Sequence, residues 1–227
     1  MLYVATPSSP EIRAAMSRGD LACMTTPAQG NVVPDGAAIV CDNGKYGHGW
    51  PGPERWFTWL SGVVDRYGAD RILFAVAPDV PFSSTGTLAE SLPWLPQIRG
   101  LDIPAAFAAQ DGCEEGDLIP WDFLDAVFLA GSTAWKVGPL AEKVAHEAKA
   151  RGKWVHMGRV NSLRRLRIAE QCWCDSADGT YLAFGPDRNL PTLLGWLDEL
   201  HGRPSLLGNT SSSPPPFPAD SSGPGPV

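Results

Sequence analysis

Short apolar runs alternate with amphipathic segments along most of the chain. Eight of these runs end in polar or turn residues and fit the pattern of β-strands: LYVAT, LACMTT, AAIVCDN, RILFAVAPD, AAFAAQDG, AVFLAGS, KWVHMGRV and CWCDSADG. They consist largely of small and β-branched apolar residues, which is typical of parallel strands covered on both faces. The pattern therefore predicts a parallel sheet with helices on both sides.

The segments between the runs carry helix signals. GPERWFTWLSGVVDRYG places five apolar residues on one helical face: Trp56, Trp59, Leu60, Val63 and Val64. Gly152 is placed as a C-terminal cap, and an Asn-Ser pair begins NSLRRLRIAEQ as an N-terminal cap. Eight strands favour an α/β fold of the (β/α)8 TIM-barrel type, compact because a typical barrel uses about 250 residues. An open doubly wound sheet is the structural alternative, and the pattern is weakest over residues 7–31.

Composition divides the chain into two parts. The 227 residues are 44% hydrophobic and 19% charged, which suits one globular domain. From residue 207 onward the chain is almost wholly Pro, Gly and Ser, so it cannot bury enough apolar surface to fold. We therefore predict one folded domain over 1–206 and a disordered tail over 207–227.

Charge and cysteine content exclude several classes of protein. The formal net charge of −7 gives no global attraction to nucleic acid, so a polynucleotide would need a local basic patch. The N-terminus lacks a signal-peptide pattern, and no apolar run approaches the roughly 20 residues of a membrane helix, so we expect a cytoplasmic protein.

The five cysteines are an odd number and are spread along the chain, which argues against a disulfide framework in a cytosolic protein. Cys172 and Cys174 fit buried small residues better than metal ligands, because no second pair follows.

Polar residues stand at the predicted carboxyl ends of the strands, where parallel barrels carry their chemistry. The acids and amides among them are Asp42, Asn43, Asp79, Gln110, Asp111, Asp175 and Asp178. Taken singly, each fits a turn or a helix cap, because Asp and Asn tolerate left-handed backbone. Their convergence on one rim favours a functional site. Arginines at 159, 164, 165 and 167 follow the seventh run and fit a solvated helix face and a phosphate-binding patch equally well.

The order and content of these strand ends resemble the tRNA-guanine transglycosylase superfamily, whose (β/α)8 enzymes exchange guanine in a polynucleotide for a 7-deazaguanine. The resemblance is strongest to the DpdA-type branch (deoxypurine in DNA protein A), which acts on DNA, and it runs from about residue 37 to 189. The motifs that carry it are CDNGKYG, APD, AAQDG, FLAGST, HMGRV and CDSADGTYLAFGPDRN. The zinc-binding cysteines of the relatives that act on tRNA are absent, which favours DNA as the substrate.

The resemblance implies a role for each matching residue. Asp178 would be the nucleophile that forms a glycosyl-aspartate, Asp175 its supporting neighbour, and Asp42 the general acid/base, with a pKa raised by burial near other acids. Neither a metal nor an organic cofactor would be required. The remaining residues would bind the flipped-out base (Tyr46, Asp79, Gln110, Gly131 and Met157) or the flanking phosphates (Arg159, Arg164 and Arg165).

Three alternatives stay open at this point. The first is the same exchange on tRNA. The second is a (β/α)8 lyase or hydrolase that uses the same acids on a small metabolite and binds no nucleic acid. The third is a DNA-binding or accessory subunit that has lost turnover, although the presence of both Asp42 and Asp178 speaks against it. The expected partners are therefore DNA and a free 7-deazaguanine base such as 7-cyano-7-deazaguanine, with no membrane and with the oligomeric state left open.

Overall fold

The computed structural model describes residues 1–47 and 49–202 and contains a closed barrel of eight parallel strands. Each strand pairs with the next one in the chain, and the last strand closes the barrel by pairing with the first, with Val4 opposite Asp178. The predicted (β/α)8 barrel is confirmed, and the open sheet is excluded. The predicted disordered tail, 207–227, lies outside the described residues.

The eight strands fall within the eight apolar runs. Their bounds are β1 Leu2–Ala5, β2 Ala22–Thr25, β3 Ile39–Cys41, β4 Ile72–Val76, β5 Ala105–Ala109, β6 Ala126–Leu129, β7 Trp154–Met157 and β8 Ser176–Asp178. Each strand is only three to five residues long, and polar residues follow directly where the apolar run ends. The carboxyl ends of all eight strands therefore meet at one rim.

Eight α-helices accompany the strands. Their bounds are α1 Pro10–Ser17, α2 Pro53–Tyr67, α3 Ser84–Ser91, α4 Leu95–Arg99, α5 Thr133–Lys136, α6 Pro139–Ala150, α7 Leu163–Gln171 and α8 Pro186–His201. The predicted caps are present: Ser162 accepts a hydrogen bond at the start of α7, and Gly152 follows α6 with a φ of +69°. Residues 26–38 join β2 to β3 without a helix, which keeps the barrel compact.

The barrel interior is filled by alternate residues of the strands, because successive side chains point to opposite faces. The inward-facing residues form one apolar cluster: Val4, Ala22, Val40, Phe74, Val76, Ala106, Ala108, Ala126 and Phe128. Four alanines of this cluster leave room for the two phenylalanine rings, which both contact the buried ring of His156. A larger cluster fills the space between strands and helices and contains the buried Cys172 and Cys174, as the sequence indicated.

Within the described part of the chain, every helix is too short or too polar to traverse a lipid bilayer.

We expect Phe74→Ala to lower the free energy of unfolding by about 3–5 kcal/mol, because it opens a cavity in the barrel interior. Phe123→Ala is the matched control, since Phe123 is 46% exposed and its truncation should cost about 0.5 kcal/mol or less. Urea unfolding at fixed pH measures both. Equal losses in the two variants would contradict the packing described here.

Candidate active site

Three carboxylates line one pocket at the carboxyl ends of the strands. Asp42 follows β3, Asp79 follows β4 and Asp178 ends β8, and all three line a pocket of about 100 Å³ that is partly open to solvent. Gln110, after β5, and Arg159, after β7, line the same pocket. The convergence predicted from the strand ends is therefore present for these five residues.

A chain of buried polar groups inside the barrel holds the Asp178 carboxylate. His156 Nε2 lies 3.0 Å from Asp178 Oδ1, and His156 Nδ1 lies 2.8 Å from Ser176 Oγ. Trp154 Nε1 donates to the same Ser176 oxygen at 2.8 Å. Because Ser176 is fully buried, its hydroxyl hydrogen is best satisfied by His156 Nδ1, so Nε2 carries the proton that is donated to Asp178.

Gly158 makes room for the Asp178 carboxylate, and Gly179 allows close packing next to it. A Cβ at position 158 would lie 2.5 Å from Phe128 Cε2 and 3.3 Å from Asp178 Oδ1. A Cβ at Gly179 would lie 2.7 Å from the hydroxyl of Tyr3, a group that donates to the carbonyl of Val160. Asp178 Oδ2 accepts no hydrogen bond from the described residues, so it is the oxygen that is left for a ligand.

Asp42 combines a turn with a perturbed carboxyl group. The Gly44 N–H donates to Asp42 Oδ1 at 2.6 Å, which is the turn that the DNG sequence signals. Burial raises the pKa of Asp42 to about 7, against the opposing effect of that hydrogen bond, and the negative charges of Asp178 and Asp79 raise it further. Asp42 is therefore partly protonated near neutral pH, as expected for a general acid/base.

Asp79 is fixed by two side-chain amides. Asn43 Nδ2 donates to Oδ1 at 2.9 Å, and Gln110 Nε2 donates to Oδ2 at 2.8 Å. Burial raises the pKa of Asp79, while the hydrogen bond from Asn43 and the charge of Lys45 lower it. Gln110 Oε1 accepts from the Phe82 N–H, so this amide positions Asp79 and the loop after β4, and its role in binding a base stays a prediction. Each carboxylate oxygen keeps a second lone pair for a ligand.

Two aromatic rings and a guanidinium group form the mouth of the pocket. Arg159 Nη1 donates to the Tyr46 hydroxyl at 2.8 Å, and its guanidinium lies 4.7 Å from the centre of that ring. The rings of Tyr46 and Phe82 meet edge to face with centroids 6.2 Å apart. Phe82 and Arg159 both have positive φ, +65° and +60°. Such backbone strain in non-glycine residues is concentrated at functional sites.

Two of the predicted base-binding residues do not reach the pocket. Met157 is adjacent to the inward-facing His156, so its side chain points the other way and is buried between strands and helices. Gly131 donates its N–H to Ala109 at 3.0 Å, and its carbonyl accepts from Arg159. Ala130 lines the pocket instead. The predicted roles of Met157 and Gly131 are therefore wrong in this structure.

Asp175 lies at the opposite end of the barrel from Asp178. It precedes β8, and its carboxylate accepts from Lys149 Nζ at 2.7 and 2.8 Å and from the Val155 N–H at 2.8 Å. The prediction that Asp175 supports the nucleophile is corrected, because the three-residue strand β8 separates the two carboxylates. Asp175 anchors the amino ends of β7 and β8.

The predicted phosphate-binding arginines separate into different positions. Arg159 lines the pocket, and Arg165 Nη1 donates to the Arg159 carbonyl at 2.9 Å. Arg164 is exposed on α7. Only Arg159 of the three lines the pocket that holds the carboxylates.

Two buried groups beside the pocket were missed by sequence reasoning. His156 could have been found from strand alternation, because Trp154 and His156 share one face of β7 and Gly158 follows the strand in the same alternation. Lys136 gave no local signal: it ends the short helix α5, is almost fully buried, and donates from Nζ to the Gly158 carbonyl at 2.6 Å. Burial lowers the pKa of Lys136 to about 7, and the charge of Arg159 lowers it further.

Comparisons with known proteins identify the fold and no closer relationship. No family model and no curated protein matches the sequence. A chain of the tryptophan synthase a2b2 complex from Pyrococcus furiosus superposes with a TM-score of 0.56 at 12% identity, covering 89% of this chain and 98% of that one. This similarity shows the (β/α)8 fold alone.

Two further solved structures are more distant. One, described as a mandelate racemase/muconate lactonizing enzyme from Sorangium cellulosum, gives a TM-score of 0.49 at 18% identity and covers 79% of this chain and 53% of that one. The HpcH/HpaI aldolase from Desulfitobacterium hafniense gives 0.49 at 12% identity and covers 85% and 91%. The chain thus spans about half the length of the Sorangium protein. The resemblance to guanine transglycosylases stays a prediction.

Asp42 should make the stability of the native protein depend on pH. Its native pKa of about 7 lies above the ordinary value of 3.8, so the folded state binds the proton more tightly than the unfolded state. The contribution of Asp42 to stability is therefore greatest below about pH 4 and falls as the pH rises to about 7. Urea unfolding of wild type and Asp42→Asn from pH 4 to 8 measures it: the difference between them should shift in favour of the variant as pH rises. A constant difference would contradict the raised pKa.

Asp175→Ala should lower the free energy of unfolding by about 1–3 kcal/mol, because it leaves a backbone N–H and an ammonium group without their partner. Glu147→Ala is the control: it removes an exposed ion pair with Arg151 and should cost less than about 1 kcal/mol. Thermal and urea unfolding compare the two. If Asp175→Ala were neutral, the anchoring role described here would be wrong.

Proposed function

We propose that this chain is a base-exchange enzyme that replaces guanine in DNA with a 7-deazaguanine through a covalent glycosyl-aspartate. The observation that carries the proposal is the convergence of Asp178, Asp42 and Asp79 on one aromatic-edged pocket at the carboxyl rim. Each carboxylate has a different environment, which suits three different tasks. The tasks are attack on the sugar, proton transfer and recognition of the base edge.

Asp178 supplies the nucleophile. Its Oδ1 accepts from His156, which fixes the plane of the carboxylate and directs the unbonded Oδ2 into the pocket. Oδ2 attacks C1′ of the deoxyribose, the C1′–N9 bond breaks, and its electron pair leaves with guanine. The ester to Asp178 holds the sugar while the free base departs, so the strand is not hydrolysed.

Asp42 moves the proton. A carboxyl group with a pKa of about 7 is protonated often enough to give its proton to the departing purine. As a carboxylate it then takes the N9 proton of the incoming 7-deazaguanine, whose N9 attacks C1′ and expels Asp178. The cycle returns both acids to their starting states and consumes no cofactor.

Asp79 is suited to recognise the base. Guanine and 7-deazaguanine both present an adjacent ring N–H and amino group, and a carboxylate held by Asn43 and Gln110 can accept from both. Tyr46 and Phe82 at the mouth offer rings for stacking. Extruding the base from a duplex costs about a few kcal/mol, which these contacts would offset.

A second candidate is a lyase or hydrolase that acts on a small anionic metabolite. The observation in its favour is the contact between Arg159 and Tyr46, which spans the mouth of the pocket and would suit a small ligand with a negative group. Such an enzyme would use the same three acids but would bind no DNA.

An exchange assay separates the candidates. The protein is incubated with guanine-containing DNA and labelled guanine or 7-cyano-7-deazaguanine, and the DNA is digested to nucleosides. We expect label in the DNA with wild type and a loss of at least about 10³-fold in Asp178→Asn, because an amide cannot form the glycosyl ester. Asp175→Asn is the matched control and should retain exchange once its lower stability is allowed for. Full activity of Asp178→Asn would remove it from the nucleophile position.

A further inference from the structure

We propose that Trp154 and Ser176 are positioning residues that keep the proton of His156 on Nε2 while Asp178 is esterified. The N–H is then in place to stabilise the carboxylate that returns when the incoming base expels Asp178. Neither Trp154 nor Ser176 lines the carboxylate pocket, so both act on the reaction only through His156. The inference rests on the proposed function, because it assumes the glycosyl-aspartate.

The four residues form a ladder across β7 and β8. Trp154 begins β7 and His156 stands two residues further on, so both face the barrel interior. Ser176 begins β8 and Asp178 ends it, again on one face. His156 is the register partner of Ser176 in this parallel pair. The hydrogen bonds therefore cross between the two strands at every step, from the amino end of the barrel to its carboxyl rim.

The two ends of the ladder fix the direction of its hydrogen bonds. The indole N–H of Trp154 can only donate, so the Ser176 oxygen accepts from it at 2.8 Å. A carboxylate can only accept, so Asp178 Oδ1 accepts from His156 Nε2. The hydroxyl hydrogen of Ser176 is left with His156 Nδ1 as its acceptor, at 2.8 Å. Every group in the ladder then has a partner of the required kind.

The contribution of the amino end of the ladder matters most in the esterified state. A carboxylate holds the Nε2 proton by itself, but Oδ1 of an ester is an uncharged carbonyl oxygen and a weaker acceptor. If the proton moved to Nδ1, the hydroxyl hydrogen of Ser176 would have no acceptor in the ladder, and an unpaired buried donor is unfavourable. Ser176 and His156 are fully buried, and Phe74 and Phe128 lie edge to face against the imidazole, so solvent does not replace these partners.

The N–H of His156 serves the second half of the exchange. N9 of the incoming base attacks C1′, the C1′–Oδ2 bond breaks, and its electron pair stays on Asp178. The negative charge is shared with Oδ1, the oxygen that accepts from Nε2. This hydrogen bond is therefore stronger in the transition state than in the ester, and it lowers the barrier to release of the enzyme. The proton stays on the nitrogen throughout.

Accumulation of the covalent adduct tests this role. The protein is mixed with guanine-containing DNA and labelled guanine, quenched with denaturant, and resolved on a gel that separates the protein–DNA adduct from free DNA. Ser176→Ala should slow exchange by about tenfold or more and raise the fraction of enzyme held as adduct. Ser61→Ala is the matched control, because it removes a hydroxyl that donates within α2. Slower exchange without more adduct would leave Ser176 a structural role and overturn the proposal.

Trp154→Phe serves if Ser176→Ala does not fold. It removes the indole N–H and keeps an aromatic ring, so exchange should fall and adduct should rise, by less than in Ser176→Ala. Trp121→Phe is the control for this change, since Trp121 is also partly buried but packs between strands and helices, outside the barrel interior. An unchanged adduct fraction in Trp154→Phe would contradict the role of the indole.

Nitrogen NMR of isotope-labelled histidine measures the position of the proton directly. The chain has four histidines, and the signals that are absent from His156→Gln belong to His156. Asp178→Asn makes the side chain uncharged, as it is in the ester, and Nε2 should still carry the proton. When Ser176→Ala is added to Asp178→Asn, a form protonated on Nδ1 should appear. A proton on Nδ1 in Asp178→Asn alone would overturn the proposal.

The two measurements separate this proposal from the proposed function. If wild type incorporates no labelled base and forms no adduct, the base exchange fails, and the role of the ladder in its second step fails with it. If exchange and adduct are observed but the Nε2 proton does not depend on Ser176, the base exchange stands and this proposal is overturned.

Discussion

The crowding of three carboxylates into one partly buried pocket is the constraint on which the rest of the site depends. Carboxylates that are buried near one another lose hydration and repel each other, and both effects favour the protonated form. Among the described residues, Asp42 accepts one hydrogen bond, from Gly44, whereas Asp79 accepts two from side-chain amides. Asp178 receives the N–H of His156. Burial and the charges of Asp178 and Asp79 therefore raise the pKa of Asp42 to about 7, against the single bond from Gly44.

The barrel could be predicted from the sequence because the signals for its strands are local. Each apolar run is long enough to be one strand, and each ends in polar residues at the rim, so β1 to β8 and most of the acids could be placed without coordinates. The weak region 7–31 still held α1 and β2, because Ser9 and Pro10 form an ordinary helix start there. The fold and the residues at its rim can therefore be predicted from the spacing of apolar and polar residues alone.

The predictions for Met157 and Asp175 failed because the sequence does not show which face of a strand points into the barrel or how long the strand is. Met157 and His156 are neighbours, and moving the interior face by one residue exchanges which of them enters the barrel. Asp175 and Asp178 are three residues apart, a distance that spans the whole of β8 and so puts them at opposite rims. The burial of Lys136 could not be predicted for another reason. Its hydrogen-bond partner Gly158 is 22 residues away in the chain, and no local sequence pattern indicates such a contact.

The asymmetry of the acids also bears on what kind of reaction the pocket suits. Single-displacement hydrolysis needs one acid and one activated water, whereas a covalent mechanism also needs a fixed carboxylate, such as Asp178 held by the buried His156–Ser176–Trp154 chain. Exchange of one base for another needs a covalent holder that stays fixed while the pocket empties and refills. Anchoring Asp178 from inside the barrel, away from the mobile ligand, meets that need, since none of its supporting contacts involves the base. The anchoring of Asp178 therefore suits a covalent mechanism, of which the proposed base exchange is one form.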